Sequence, residues 1–192
     1  GEVGNVIDIQ PSPRGISREG GRAVGRAGGR EGIKREMYAE LHCHTNYSFQ
    51  EGASSVGNLL VRAEGLGYRA LAITDHDNLC GSMEFARVAA DLDLNAIIGA
   101  EVTLLDGSHL TFLAENQRGY ANLSRLVSHG YIDGDRRNPG LDPARIAEHA
   151  DGWVLLTGCR NGRLADLADR GDLVGAEAQL SAYMDWCGQD SV

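Results

Sequence analysis

The chain has 192 residues, 42% of them hydrophobic, and a formal net charge of −9. That length allows one domain with a real core, and the acidic balance argues against duplex binding by bulk electrostatics, leaving a local patch, a metal or another part of a larger protein to meet nucleic acid. No apolar run reaches the length of a membrane span and no signal-peptide pattern is visible; the four cysteines (Cys43, Cys80, Cys159, Cys187) form no CxxC pair and suit a reducing cytoplasm.

Residues 1–36 hold seven Lys/Arg and five Asp/Glu, a balance of +2, which leaves −11 for the remainder. This stretch is loaded with glycine, as in "GISREGGRAVGRAGGREG", and predicts a disordered Gly/Arg-rich leader. Met37 offers a natural start for the folded part, 37–192. "MYAELH" (37–42) predicts a strand. "SSVGNLLVRAEGLG" predicts a helix capped by Ser54 or Ser55 and stopped by Gly65 and Gly67. "YRALAIT" (68–74) is a buried-strand run. "GSMEFARVAADLDL" (81–94) has helical period, and 95–105 and 108–116 read as two more strands. "RGYANLSRLVSHG" (118–130) predicts a helix closed by Gly130. "DPARIAEHA" (142–150) opens a helix with an early proline. "GWVLLTG" (152–158) is a strand, and the remainder reads as one or two amphipathic helices. The order β-α-β-α-β-β-α-α-β-α implies an α/β protein with a mostly parallel sheet or barrel.

Such folds place chemistry at the C-terminal ends of strands. Ligand-type groups collect there repeatedly. "ELHCHTNYS" puts His42 and His44 two residues apart, so that both imidazoles leave an extended segment on one side. "TDHD" carries His76, "GAEV" carries Glu101, His109 begins the fourth strand and Cys159 follows the fifth. Alone, the first pair reads equally as surface histidines. The recurrence points to a metal site, since neutral imidazole is the commonest protein metal ligand.

At "LHCHTNYS", "GYRALAITDHDNLCGSMEFARVA" and "IIGAEV" the sequence resembles the PHP (polymerase and histidinol phosphatase) superfamily. "HLTFLAENQRGYANLSRLVSHGY" and "DPARIAEHADGWVLLTGC" are similar to the N-terminal PHP domain of the bacterial C-family DNA polymerase III alpha subunit. "YRALAITDHD" and "GYIDGDRRNPGLDP" lean toward the error-prone branch of that family. The resemblance covers residues 37–192. It implies a distorted seven-stranded β/α barrel holding up to three divalent ions, C-terminally incomplete here, with a last Asp-x-His motif expected after residue 192. The metal ligands it implies are His42, His44, Glu51, His76, Glu101, His109 and Cys159. Glu51 stands where the family usually has Asp, and its extra methylene would loosen one ion. The resemblance further implies DNA synthesis by the full-length enzyme, DNA and replication or mutasome proteins as partners, and a cytoplasmic location without membrane attachment.

Imidazoles with shared carboxylates suit Zn²⁺, Mn²⁺ or Fe²⁺ better than Ca²⁺. Clustered ions of that kind support phosphoester hydrolysis, which in this family would be 3′–5′ exonuclease activity. No Gly-rich phosphate loop or Ser/His/Asp triad stands out, so no catalytic side-chain nucleophile is expected. Asp75 and Asp77 read as groups orienting imidazoles or as turn residues. His129 and His149, placed near helix ends, read as structural cations suited to the helix dipole. Cys43 should face packing, Cys80 and Cys187 read as core or semi-buried residues, and Trp153 and Trp186 as core. Three functions compete: part of an error-prone polymerase, a phosphoesterase or exonuclease in its own right, and a free-standing small-molecule phosphatase. The polymerase-type helix at 119–129 argues against the third.

Overall fold

The computed structural model describes residues 38–92, 94–188 and 191–192. The leader expected over 1–36 and the start at Met37 lie outside the described residues. The chain runs β1 (Ala39–Glu40), α1 (Val56–Leu66), β2 (Ala70–Ile73), α2 (Ser82–Ala89), β3 (Asn95–Thr103), β4 (His109–Ala114), α3 (Gln117–Asp133), α4 (Ala144–Glu148), β5 (Trp153–Leu156), α5 (Arg163–Asp169) and α6 (Leu173–Cys187). This is the α/β order read from the sequence, with the last segment split into two helices. No helix of the described residues is long and apolar enough to cross a membrane.

The strands form one sheet in the order β1-β2-β3-β4-β5. β1–β2 and β2–β3 pair parallel, while β3–β4 and β4–β5 pair antiparallel. Only β4 therefore runs against the rest. The described residues supply these five strands and not the seven of the expected barrel. β1 is also shorter than the predicted 37–42. Beyond Glu40 regular pairing with β2 ends: the Thr74 amide still donates to the Cys43 carbonyl (2.9 Å), but the Cys43 amide donates to the Thr74 hydroxyl (3.1 Å). His42 and His44 thus sit on an extended segment past the strand.

Two apolar clusters hold the sheet. Val56, Leu60, Leu71, Ile73, Phe85 and Ile98 pack α1 and α2 against β2 and β3. Val102, Leu110, Phe112, Leu123, Ile146, Trp153 and Tyr183 pack α3, α4 and α6 against β3, β4 and β5. Each buried large side chain contributes about 1.5–3 kcal/mol of transfer free energy, so the helices are fixed by these faces. Ser55 caps α1 by accepting from the Asn58 amide, and Gly67 closes it in the left-handed region, φ 74°.

Gly130 does not end α3. Its carbonyl accepts from the Gly134 and Gly140 amides, and the helix runs on to a cap at Gly134. His129 accordingly lies inside α3, stacked on His149 with ring centroids 5.6 Å apart. Burial, then the neighbouring His129, push the His149 pKa down, which disfavours the cation expected there. Cys80 is exposed and not packed, whereas Cys43 and Cys187 are partly buried against the two cores. Trp153 is buried as read, and Trp186 packs on its cluster from the rim.

Candidate metal centre

β-strand alternation puts Ala100 and Val102 into the core and Glu101 on the opposite face of β3. Because β4 runs backwards, its first residue pairs with the last of β3, Thr103↔His109. His109 therefore arrives at the same pole as the C-terminal ends of β1, β2, β3 and β5. Glu101 is 1% exposed and forms the hub there. Its Oε2 lies 2.6 Å from His42 Nε2 and 2.8 Å from His44 Nε2. Its Oε1 lies 2.9 Å from His109 Nδ1, and the Cys159 thiol donates to the same oxygen at 3.2 Å. His76 Nε2 is 3.7 Å from Oε2. Glu51 reaches in from solvent, 2.9 Å from His76 Nε2 and 3.4 Å from His44 Nδ1. All seven residues singled out in the sequence are thus brought together.

The imidazoles form a row. Ring centroids are 5.2 Å apart for His42–His44, 4.9 Å for His44–His76 and 4.7 Å for His76–His109, each pair edge to face. Three overlapping triads could each hold an ion: His42, His44 and Glu101; His44, Glu51 and His76; His76, Glu101 and His109. In each, the donor atoms lie within 4.8 Å of one another.

The protonation states follow from burial and from the hub. Burial alone would raise the Glu101 carboxyl, but hydrogen bonds with His109, His42, His44 and Cys159 hold it far below the carboxylate range. The bonds to Glu101 raise His44 and His109, outweighing burial. His76 goes the other way, because its burial outweighs attraction to Glu101 and Glu51. Cys159 is raised, first by burial, and remains a thiol in the metal-free chain.

The two aspartates beside His76 orient turns rather than imidazoles. Asp75 is buried and accepts from the Thr45 amide (2.7 Å), the Thr45 hydroxyl (2.7 Å) and the Ser48 hydroxyl (2.6 Å). It thereby locks the turn that follows His44. The Ser48 hydroxyl also accepts from the His76 amide at 3.1 Å. Asp77, in the left-handed region at φ 50°, accepts from the Thr103 amide and hydroxyl, both 2.8 Å. On the other flank, Gly158 (φ 96°) has no room for a side chain, since a Cβ would stand 2.6 Å from the His109 carbonyl oxygen. The loop from Gly158 is pressed onto β4, and this delivers Cys159 to Glu101.

Thr45, Ser48 and Thr111 are site residues that sequence reading missed. Thr111 pairs directly with Glu101 and shares its face, and its hydroxyl is buried with no hydrogen-bond partner. The small polar residues of the "HTNYS" turn carry no metal signature, so only the bonds of Thr45 and Ser48 to Asp75 reveal them.

The family model for the PHP domain matches residues 40–192. An error-prone DNA polymerase of Cutibacterium acnes is 37% identical over 100% of this chain and 19% of its own length. A DNA polymerase III subunit alpha of Treponema pallidum is 36% identical over 83% of this chain and 15% of its own. The chain thus spans a fifth or less of these relatives. Among solved structures, an amidohydrolase from Chromobacterium violaceum is 21% identical, with a TM-score of 0.38 over 74% of this chain and 54% of that one.

Proposed function

The chain belongs to the PHP domain family, and we propose that it serves as the N-terminal metal-holding module of a longer error-prone DNA polymerase of the DNA polymerase III alpha type. The identity to such polymerases over nearly all of the chain supports this reading. DNA is then met through the whole polymerase, with replication or repair proteins as partners. In that setting two further strands would close the five-stranded sheet into the seven-stranded barrel of the family.

A second reading is phosphoester hydrolysis by the domain itself. One observation favours it: a buried carboxylate is surrounded by four imidazoles whose side chains remain 16–30% exposed, open to a substrate. The donor set fits divalent ions. It offers nitrogen, carboxylate oxygen and one sulfur, the mix suited to Zn²⁺, Mn²⁺ or Fe²⁺, in three triads that allow up to three ions. When bound, such ions supply charge stabilisation to a phosphoryl oxygen and activation of water. The chain's own work is to hold the donors. Glu101 fixes four side chains through two oxygens, Asp75 holds the turn that carries Glu51, and burial disfavours the protonated form of His76, which leaves its ring nitrogen suited to coordination. The test is release of nucleotides from a single-stranded DNA 3′ end and of nitrophenol from bis(p-nitrophenyl) phosphate, with Mn²⁺ and with chelator. Mn²⁺-dependent, chelator-sensitive release supports hydrolysis. Ion binding with no release leaves the polymerase module as the function.

The raised pKa values of His44 and His109 give a pH prediction with opposite signs for the two forms. Without ions, their pairing with Glu101 stabilises fully below the unfolded histidine value of about 6.5 and is lost as pH rises through the raised folded values. With ions, these histidines must shed protons to coordinate, so affinity and stability climb over the same range. The contribution of His44 and His109, read as the difference between urea melts of the chain and of its His44→Gln/His109→Gln variant so that His76 and His149 with their opposite sign cancel, should slope downward between pH 6 and 8 in chelator and upward in Mn²⁺. Parallel slopes would contradict proton–ion competition at these two residues.

A further inference from the structure

The Thr111 hydroxyl is a donor without an acceptor beside the metal centre. Thr111 is 0% exposed, and its Oγ1 has no hydrogen-bond partner among the described residues. On β4 the same face carries His109 two residues before it and Leu113 two after it. Across the sheet Thr111 stands opposite Leu156 on β5 and Glu101 on β3. A valine would fill the same space without the cost of burying an unpaired hydroxyl. The other hydroxyls near the centre are spent: those of Thr45 and Ser48 donate to Asp75, and that of Thr103 donates to Asp77.

The backbone brings this hydroxyl close to the hub. The Glu101 amide donates to the Asp75 carbonyl (3.2 Å), and the Glu101 carbonyl accepts from the Asp77 amide (2.8 Å). Both main-chain groups of Glu101 are thus spent on the β2 side. Toward β4, Glu101 and Thr111 face each other as a non-hydrogen-bonded pair, the closer of the two antiparallel pairings, with Cα atoms about 4.5 Å apart. In the metal-free chain the carboxylate has no free site for the hydroxyl. An ionised carboxylate presents about four lone-pair sites, and four side chains use them: His42 and His44 at Oε2, His109 and Cys159 at Oε1. Coordination by the His109 ring nitrogen and the Cys159 sulfur ends both of their bonds to Oε1, because metal ligands must be deprotonated. Oε1 then loses two donors at once.

We infer that Thr111 is a positioning residue for the ion-loaded centre: its hydroxyl donates to the Glu101 carboxylate once His109 and Cys159 have changed from donors into ligands. The inference rests on the reading of the Glu101 cluster as an ion-holding centre and names one of its supports. The exchange keeps the carboxylate held from the β4 side while its remaining lone pairs serve coordination. Outer partners of this kind orient the ligands and set ion affinity. The hydroxyl is unpaired in the metal-free chain because its acceptor is still in use.

The test compares the full 192-residue chain with its Thr111→Val and Thr111→Ser variants. Zn²⁺ affinity is read by competition with a chromogenic chelator, and stability by urea melts in excess strong chelator. Thr111→Val should weaken Zn²⁺ binding about tenfold, while its metal-free urea midpoint stays level or rises, because the hydroxyl it removes has no partner there. Thr111→Ser should bind Zn²⁺ as the wild type does. Tyr183→Phe removes another buried hydroxyl without a partner, in the cluster that packs α6 against the sheet, and should leave Zn²⁺ affinity unchanged. Thr111 loses the role if Thr111→Val binds Zn²⁺ as tightly as the wild type, if Thr111→Ser binds as weakly as Thr111→Val, or if Tyr183→Phe weakens binding equally. It also loses the role if Thr111→Val lowers the metal-free midpoint, which would place the hydroxyl's bond in the metal-free chain. A wild-type chain that takes up no Zn²⁺ overturns the ion-holding reading and this inference with it, whereas Zn²⁺ uptake that Thr111→Val leaves untouched strikes Thr111 alone.

Discussion

Glu101→Gln is expected to remove the ions of the two triads that contain it, leaving at most the ion of His44, Glu51 and His76, and to destabilise the metal-free chain by about 3–5 kcal/mol, the cost of removing one partner from a buried charged cluster. The residue is 1% exposed and takes contacts from His42, His44, His109 and Cys159 through two oxygens. Glutamine keeps the shape but replaces one acceptor oxygen with an NH₂ group. That group would face ring nitrogens that are themselves donors when charged. With the carboxylate gone, His44 and His109 also lose the bonds that raise them. The loss should lower the melting temperature by about 6–20 °C for a domain of this size. Elemental analysis after dialysis against Mn²⁺ and a chelator-treated thermal melt check the two parts separately. A variant that retains its ions and its melting point would remove Glu101 from the role of hub.

Asp75→Ala is the second large expected effect, about 3 kcal/mol or more, because hydrogen bonds to a charged group contribute roughly 1.5–3 kcal/mol each and are not additive. Three donors converge on this buried carboxylate at 2.6–2.7 Å, and all belong to the turn after His44. The change should act at a distance on the centre. Freeing Thr45 and Ser48 lets Glu51 drift from His76, so the triad of His44, Glu51 and His76 should lose its ion while the Glu101-centred triads weaken less. Titration calorimetry should show fewer ions per chain with the remaining affinity reduced, alongside a lower urea midpoint. An unchanged ion count with an unchanged midpoint would mean that the turn holds itself.

Much of the centre was legible because its ligands sit at strand ends, where an α/β fold collects chemistry. His42 and His44 share a side by the two-residue period of an extended chain, even though β1 itself stops at Glu40. His109 was harder to place. Its pole depends on β4 running backwards, and no feature of "SHLTFLAEN" states a direction; the register Thr103↔His109 fixes it. The aspartates were read as groups orienting imidazoles or as turn residues, and the hydrogen bonds select the second alternative. Asp75 serves Thr45 and Ser48 some thirty positions away in the chain, a long-range contact without a local signature. Gly130 was read as a stop because glycine often closes helices, but its carbonyl is consumed by the Gly134 and Gly140 amides and the helix continues.

The central claim, that the Glu101 cluster holds divalent ions, is tested most directly by anomalous diffraction from crystals of this chain grown with Zn²⁺. The account predicts anomalous peaks inside the cluster, each about 2.0–2.2 Å from donor atoms drawn from His42, His44, Glu51, His76, Glu101 and His109. Peaks confined to surface carboxylates, with the imidazole row still hydrogen-bonded to Glu101, would contradict it.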